Sequence, residues 1–456
     1  MKIKLSAILL LLVSLTSSAR AEDLPPMPQG PLILTTVKQE MLSPDYWISR
    51  IPDADVLLKT PEQMAEFNDD IHAMIRDCVD MFKIGSTKSG QSVRDQIELE
   101  YKAIRGRGLY DSRNLVWPKT YFDENIKPVI QTAKVPAKIQ IRWGVATRAT
   151  SVRALPTTVK MFEKKDDPEF DMLQFTLIKL WTPVGILHES SDGKWVYLQA
   201  PYTRGWVRKK DIAMFANRSD IKKFVKPANP KSFLMVTGDH IPVFSDPAVQ
   251  SVSQMVSMGT ILPIKSKETN NYVVWLPHRK EDGGVRLGKG YVRVTSDVSV
   301  GFLPYTKRNV IEQAFKLLGA RYGWGGTYGG RDCSGFTHDV LLTFGIDMPR
   351  GSKQQGFVGT QINHFKPFED AEGKVAAIRS AMPGLTLLRM PSHQMLYLGE
   401  VNGEFYAIHC TWAERISMTS DEKNRINQVV VSDLTLNGNS RIGSLFDRII
   451  SVNELN

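Results

Sequence analysis

Tyr322-Gly323-Trp324-Gly325-Gly326 leads through Gly329-Gly330-Arg331 into Asp332-Cys333-Ser334-Gly335-Phe336, and the chain is best read outward from this stretch. Beyond Cys333, the apolar residues Phe336, Val340, Leu341 and Phe344 recur at helical spacing, and Gly345 is placed to end the helix. Cys333 is therefore expected at a helix N-terminus behind a glycine-rich loop. Unpaired backbone N–H groups and the positive end of the helix dipole favour thiolate over thiol there. A thiolate nucleophile also needs an imidazole, to hold it as an ion pair and to protonate the leaving amine.

Eight histidines are available. His72, His188, His240, His278 and His364 lie in segments without other catalytic character, and His338, five residues past Cys333, is carried away from it by the turn of the helix. His393 begins a strand-like run, Ser392 to Gly399, and His409 ends the next, Phe405 to His409, after an Asn402-Gly403 turn. A base and its orienting partner on adjacent strands, facing a helix-borne cysteine, form a triad with His393 as base and His409 as the residue that fixes its tautomer. Strand parity makes this testable. The two histidines are 16 apart, so directly opposed residues must have numbers that sum to an even value. A two-residue loop pairing Val401 with Glu404 gives an odd one. An odd-length loop or a bulge is therefore expected between them. Cys410, next to His409, should point to the opposite face.

Outside this region the texture changes several times. Met1-Lys2-Ile3-Lys4, the apolar run Leu5 to Leu15 and Ala19-Arg20-Ala21 fit a cleaved export signal over residues 1–21, too short to span a bilayer and without a cysteine for lipid anchoring. Its removal lowers the net charge from +10 to +7. Residues 22–45 read as an extended arm. Thr60-Pro61-Glu62-Gln63 is a capping box opening a helix whose apolar face is Met64, Phe67, Ile71, Met74 and Ile75. The remainder to about 133 is mainly helical.

From 138, short β runs alternate with Pro and Asp-Gly turns: Ile139-Gln140-Ile141, Thr176-Leu177-Ile178, Val184 to Leu187, Trp195 to Leu198 and Gly205-Trp206-Val207. With Val152 to Pro156 and the Ser191 to Trp195 turn, they resemble bacterial SH3 domains. A second unit from about 231 to 300 repeats the pattern after a Pro227-Ala228-Asn229-Pro230 linker. From 303 helix and strand alternate.

Composition narrows the function classes. The 456 residues suit several domains, the 42% hydrophobic content is that of a globular chain, and three cysteines exclude a disulfide scaffold. There is no C-x-x-C pair and no H-E-x-x-H, so no metal site is expected. The densest basic cluster is Arg208-Lys209-Lys210, too short for a nucleic-acid stripe. The mild positive excess suits a polyanionic or carboxylate-bearing target.

The stretch from Tyr322 to Phe336, with His393 and His409, resembles the NlpC-type papain-like cysteine peptidases. Ile51 to Asn68, the two SH3-like units and Pro349 to Gln355 are similar to a multidomain group of that family. The resemblance implies a multidomain α+β architecture: a stabilising domain over 22–135, SH3-like barrels over 136–225 and 226–302, and a papain-like catalytic domain over 303–456. It implies hydrolysis of the γ-D-glutamyl–diamino acid bond of peptidoglycan stem peptides by a monomeric exported enzyme without cofactor. Cys333 matches the nucleophile, His393 the base, His409 the third polar residue and Tyr322 an aromatic that lines the oxyanion site. Asp332, Ser334 and Ser352 match residues that hold a free N-terminal alanine ammonium in some relatives, and Arg153, Tyr202 and Trp206 are candidates to reach the groove from the first barrel. Gly384-Leu385-Thr386 and Gln394-Met395 depart from the family pattern around the base strand. A non-catalytic wall-binding protein, or an acyltransferase or amidase on the same fold, are the competing readings.

Overall fold

The computed structural model describes residues 30–456; the expected export signal and the first part of the arm lie outside the described residues. The helix Pro61–Met74 starts at the expected capping box. The Thr60 hydroxyl accepts from the Gln63 N–H at 3.3 Å, and the Gln63 side-chain Oε1 accepts from the Thr60 N–H at 2.9 Å. Met64, Phe67 and Ile71 are buried, whereas Met74 is 56% exposed because the helix ends there.

The N-terminal region divides between two cores. Val37, Met41, Trp47, Phe67 and Ile71 pack with the catalytic domain, while Val93, Ile97, Tyr101 and Ile104, on the helix Gly90–Gly106, join the core of the barrels. Thr87–Ser89 pairs with Lys138–Gln140, so the first barrel proper opens at Arg142 rather than at 136.

Seven antiparallel strands run from Arg142–Ala146 to Ile212–Met214, and seven more from Phe233–Val236 to Val298–Val300. Numbered along the chain within each unit, both sheets have the strand order 3-2-6-5-4-1-7. Two copies of one topology follow, as the sequence suggested. The helix Arg218–Val225 fills the seam between them: Trp181 stacks on Phe224 at 5.0 Å and donates its indole N–H to the Trp275 carbonyl at 2.8 Å.

The C-terminal domain is a six-stranded antiparallel sheet in the order Thr360–His364, Ser451–Glu454, Thr386–Met390, His393–Val401, Glu404–Arg415, Lys423–Asp433. The helices Lys307–Phe315 and Cys333–Leu342 cover one face, where Phe336, Val340 and Leu341 meet Leu387, Leu396 and Ile408. Each such side chain, fully buried, contributes roughly 1.5–3 kcal/mol. The helix Ala371–Ser380 covers the other face through Ile378. Among the described residues no helix is long and apolar enough to cross a membrane.

Candidate active site

Cys333 is the first residue of its helix and Asp332 is the N-cap, its carboxylate accepting from the Gly335 N–H at 2.8 Å. The sulfur lies 4.0 Å from the Ser392 carbonyl oxygen, and the nearby Gln394 and Ser334 backbone N–H groups favour its charged form. Cys333 thus sits against the backbone on both sides of His393.

The base strand shows how the two histidines meet. The Asn402-Gly403 loop pairs Val401 with Glu404, the odd register, but a bulge between Tyr397 and Gly399 shifts the remaining pairs to Tyr397 with Ala407 and Leu396 with Ile408. The extra residue restores the even register. His393 and His409 then share a face, with His393 Nε2 2.8 Å from His409 Nδ1. His409 Nε2 lies 2.9 Å from the Ser432 hydroxyl. Ser432 is the third member of this hydrogen-bonded chain and has no counterpart in the sequence reading; a hydroxyl closing the apolar run Val429-Val430-Val431 was the available signal. Cys410, on the opposite face of its strand from His409, is buried under the Cys333 helix with its thiol 3.0 Å from the Arg331 carbonyl, and all three cysteines are free.

Electrostatics reverse one expectation. Burial, reinforced by the neighbouring Asp332 carboxylate, pushes the Cys333 thiol up to about 12, against the Gln394 and Ser334 N–H groups and Arg350. Burial, with the positive Arg448, brings His393 down to about 4. The resting pair is neutral thiol and neutral imidazole, because desolvation and an adjacent anion outweigh the helix end. Burial holds Tyr322 well above the usual phenol range, so its O–H stays a donor beside Cys333.

The residues expected to bind substrate fare differently. Asp332 is occupied: Arg350 Nη1 and Nη2 reach its two oxygens at 2.9 and 2.7 Å, and the Gly325 N–H adds a further bond at 2.9 Å. An ammonium would find no free oxygen there. Ser334 accepts from the same Arg350 at 3.0 Å and is 6% exposed. Ser352 opens the short helix Ser352–Gln355, whose Gln355 fastens the nucleophile helix through Thr337 and the Ser334 carbonyl.

The three barrel residues are corrected outright. Trp206 is fully buried against Tyr197 and His188 in the barrel core. Arg153 is spent inside its own barrel on Asp171 and the Val159 carbonyl, at 2.9 and 2.7 Å. Tyr202 packs on the His338 ring at 4.5 Å, behind the nucleophile helix, with its hydroxyl on the Leu177 carbonyl.

Other residues bring the first barrel to the site. Phe170 lies 5.4 Å from Trp324, 5.1 Å from Trp412 and 6.2 Å from Tyr322. Trp324 donates to the Asp171 carbonyl at 3.1 Å, and Glu169 accepts from both Trp412 and Arg425. The glycines of Trp324-Gly325-Gly326 serve this contact. A Cβ on Gly325, at φ +56°, would lie 2.7 Å from Gln174, and one on Gly326, at φ +84°, 2.8 Å from Leu177.

Comparison with known proteins agrees with the fold. Residues 319–434 match the NlpC/P60 family, and residues 160–208 match an SH3 domain of the SH3b1 type. A Bacillus cereus (strain ATCC 10987 / NRS 248) protein named gamma-D-glutamyl-L-lysine dipeptidyl-peptidase is 31% identical over 166 residues, which are 35% of this chain and 45% of that protein. The chain thus spans less than half the length of this curated relative. A solved structure, described as a novel NlpC/P60 endopeptidase from Photobacterium damselae subsp. piscicida, superposes with a TM-score of 0.71 at 18% identity, covering 88% of this chain and 94% of that one. At that identity the likeness is one of fold. On these grounds the chain carries an NlpC/P60-type domain over residues 319–434, with an SH3b1-type unit over residues 160–208 ahead of it.

Proposed function

We propose that the protein is a cysteine endopeptidase that hydrolyses the γ-D-glutamyl–diamino acid bond of peptidoglycan stem peptides outside the cytoplasm. The observation that carries this reading is the chain from His393 through His409 to Ser432, set against a cysteine at a helix N-terminus. The family match and the name of the Bacillus cereus relative support the substrate class.

The hydrogen bonds suggest a consistent set of tautomers. His409 Nε2–H donates to Ser432, His409 Nδ1 accepts from His393 Nε2–H, and His393 Nδ1 is left to take a proton. Because thiol and imidazole rest neutral, proton transfer to His393 accompanies attack of sulfur on the scissile carbonyl rather than preceding it. The Cys333 N–H at the helix start, with the Tyr322 hydroxyl, would hold the oxyanion. His393 then gives its proton to the leaving amine, and water activated by the same nitrogen hydrolyses the thioester.

Glu169 and Phe170 extend the first barrel toward this groove, so the barrel forms one wall of it. The occupied Asp332 argues against an obligatory ammonium contact at that carboxylate. A preference for stem peptides with a free L-alanine amine, if present, would rest on other groups. The test is mass mapping of products from L-Ala-γ-D-Glu-meso-diaminopimelate and its L-lysine counterpart. Release of L-Ala-D-Glu supports the assignment, and cleavage of any other bond refutes it.

A further inference from the structure

Arg350 lies seventeen residues after Cys333 in the sequence and has no part in the proton-transfer chain, yet its guanidinium is held on all sides beside the nucleophile. Its two terminal nitrogens grip both oxygens of Asp332, at 2.9 and 2.7 Å. Nη1 also donates to the Ser334 hydroxyl at 3.0 Å, and Nε donates to the Thr176 hydroxyl at 2.8 Å. Thr176 belongs to the strand Gln174–Ile178 of the first barrel. The Arg350 and Asp332 side chains are only 13% and 11% exposed, so the pair is nearly dry.

A helix needs only a neutral cap. Asn or Ser at position 332 would serve as well as Asp. The carboxylate instead places a negative charge next to the sulfur, where it opposes thiolate formation and any oxyanion bound at the Cys333 N–H. In this low-dielectric setting only an equally fixed cation cancels such a charge. The groups that act on Cys333 are Asp332 from the preceding loop and Arg350 from the segment after the helix, with Tyr322 and Cys410 beside them and with His393 following Ser392, whose carbonyl lies 4.0 Å from the sulfur. Of these, Arg350 is the one permanently positive group.

We propose that Arg350 is a positioning residue that neutralises Asp332 so that Cys333 can develop negative charge, and that the first barrel, through Thr176, fixes the guanidinium in that role. The barrel thereby acts on the chemistry as well as on substrate access. The proposal rests on Cys333 being the nucleophile. Its test needs no substrate, so it stands or falls separately from the choice of scissile bond.

The experiment measures alkylation of Cys333 by iodoacetamide at pH 8, reading the Cys333 peptide by mass so that Cys78 and Cys410 do not interfere. Three folded variants are compared with the wild type: Asp332→Asn, Arg350→Met and Asp332→Asn/Arg350→Met. Thiolate content sets the rate, so Asp332→Asn should react about three- to tenfold faster and Arg350→Met about three- to tenfold slower. The double variant should return to within about twofold of the wild type. Should Arg350→Met not fold, the Asp332→Asn acceleration and its cancellation in the double variant still decide. A merely structural pair would give no such ordering. Equal rates in Asp332→Asn and wild type, or a double variant as fast as Asp332→Asn, would overturn the proposal.

Discussion

His393 Nε2 and His409 Nδ1 stand 2.8 Å apart only because the hairpin that joins their strands carries one extra residue between Tyr397 and Gly399. The two-residue Asn402-Gly403 turn would by itself have put the rings on opposite faces of the sheet. The bulge is therefore as necessary to the contact between the two imidazoles as either side chain.

In the proposed mechanism His409 orients His393 and does not itself exchange protons with substrate. Replacing it with Ala should lower kcat by roughly 10²-fold or more with little change in KM, because the base loses its preferred tautomer. Ser432→Ala should do the same more weakly. Steady-state kinetics on a stem peptide check both; unchanged kcat in His409→Ala would remove it from the mechanism.

Gly325→Ala tests the docking of the first barrel. The added methyl group collides with Gln174 and strains a left-handed backbone, so stability should fall by about 1–3 kcal/mol and activity with it. Phe170→Ala should instead raise KM while leaving the melting temperature within a few degrees of the wild type. Equal KM values for wild type and Phe170→Ala would mean that the loop does not wall the groove.

These contacts also mark where the sequence stopped being legible. The nucleophile helix, the base strand, the two barrels and the need for a bulge were readable, because each rests on local periodicity, turn chemistry or parity. Arg350 with Thr176, Glu169 with Trp412 and Gln174 with Gly325 join residues 151 to 243 positions apart, and no local pattern announces them. Trp206 and Arg153 looked available because a tryptophan and an arginine in a β run are good ligands; the barrel uses both internally. The thiolate expectation failed for a similar reason. Helix position is local and visible, whereas burial and the setting of Asp332 are products of the assembled fold.

Acid should destabilise the protein through its buried imidazoles. Burial lowers His393 to about 4 and also lowers His188, His338 and His409, all of which in the unfolded chain take up protons near 6.5. Below pH 6.5 the unfolded state binds more protons, so stability falls with pH; His393 alone contributes up to about 1.4 kcal/mol per pH unit between 6.5 and about 4, and the other three act in the same direction. Glu100, pushed up to about 7 by burial, works in the opposite direction between 4.5 and 7 and offsets one of the four. Denaturant melts from pH 8 to 4.5 measure the balance; stability that does not fall over that range would contradict the burial of these imidazoles.

Because Asp332 already holds Arg350, Asp332→Asn should change the rates on free-amine and N-acetylated L-Ala-γ-D-Glu-diaminopimelate by the same factor. The ratio of kcat/KM values for the two peptides, compared between wild type and variant, checks this. A ratio that collapses only in the variant would return Asp332 to amine recognition.

Everything in the account depends on a thioester formed at one sulfur. The direct measurement is intact and peptide-level mass analysis of enzyme quenched by acid during turnover of a stem peptide. The account predicts an L-Ala-γ-D-Glu acyl adduct on the peptide containing Cys333, absent in Cys333→Ala, which should also lack turnover. An adduct on another residue, or cleavage by pure Cys333→Ala at a rate near that of the wild type, would contradict it.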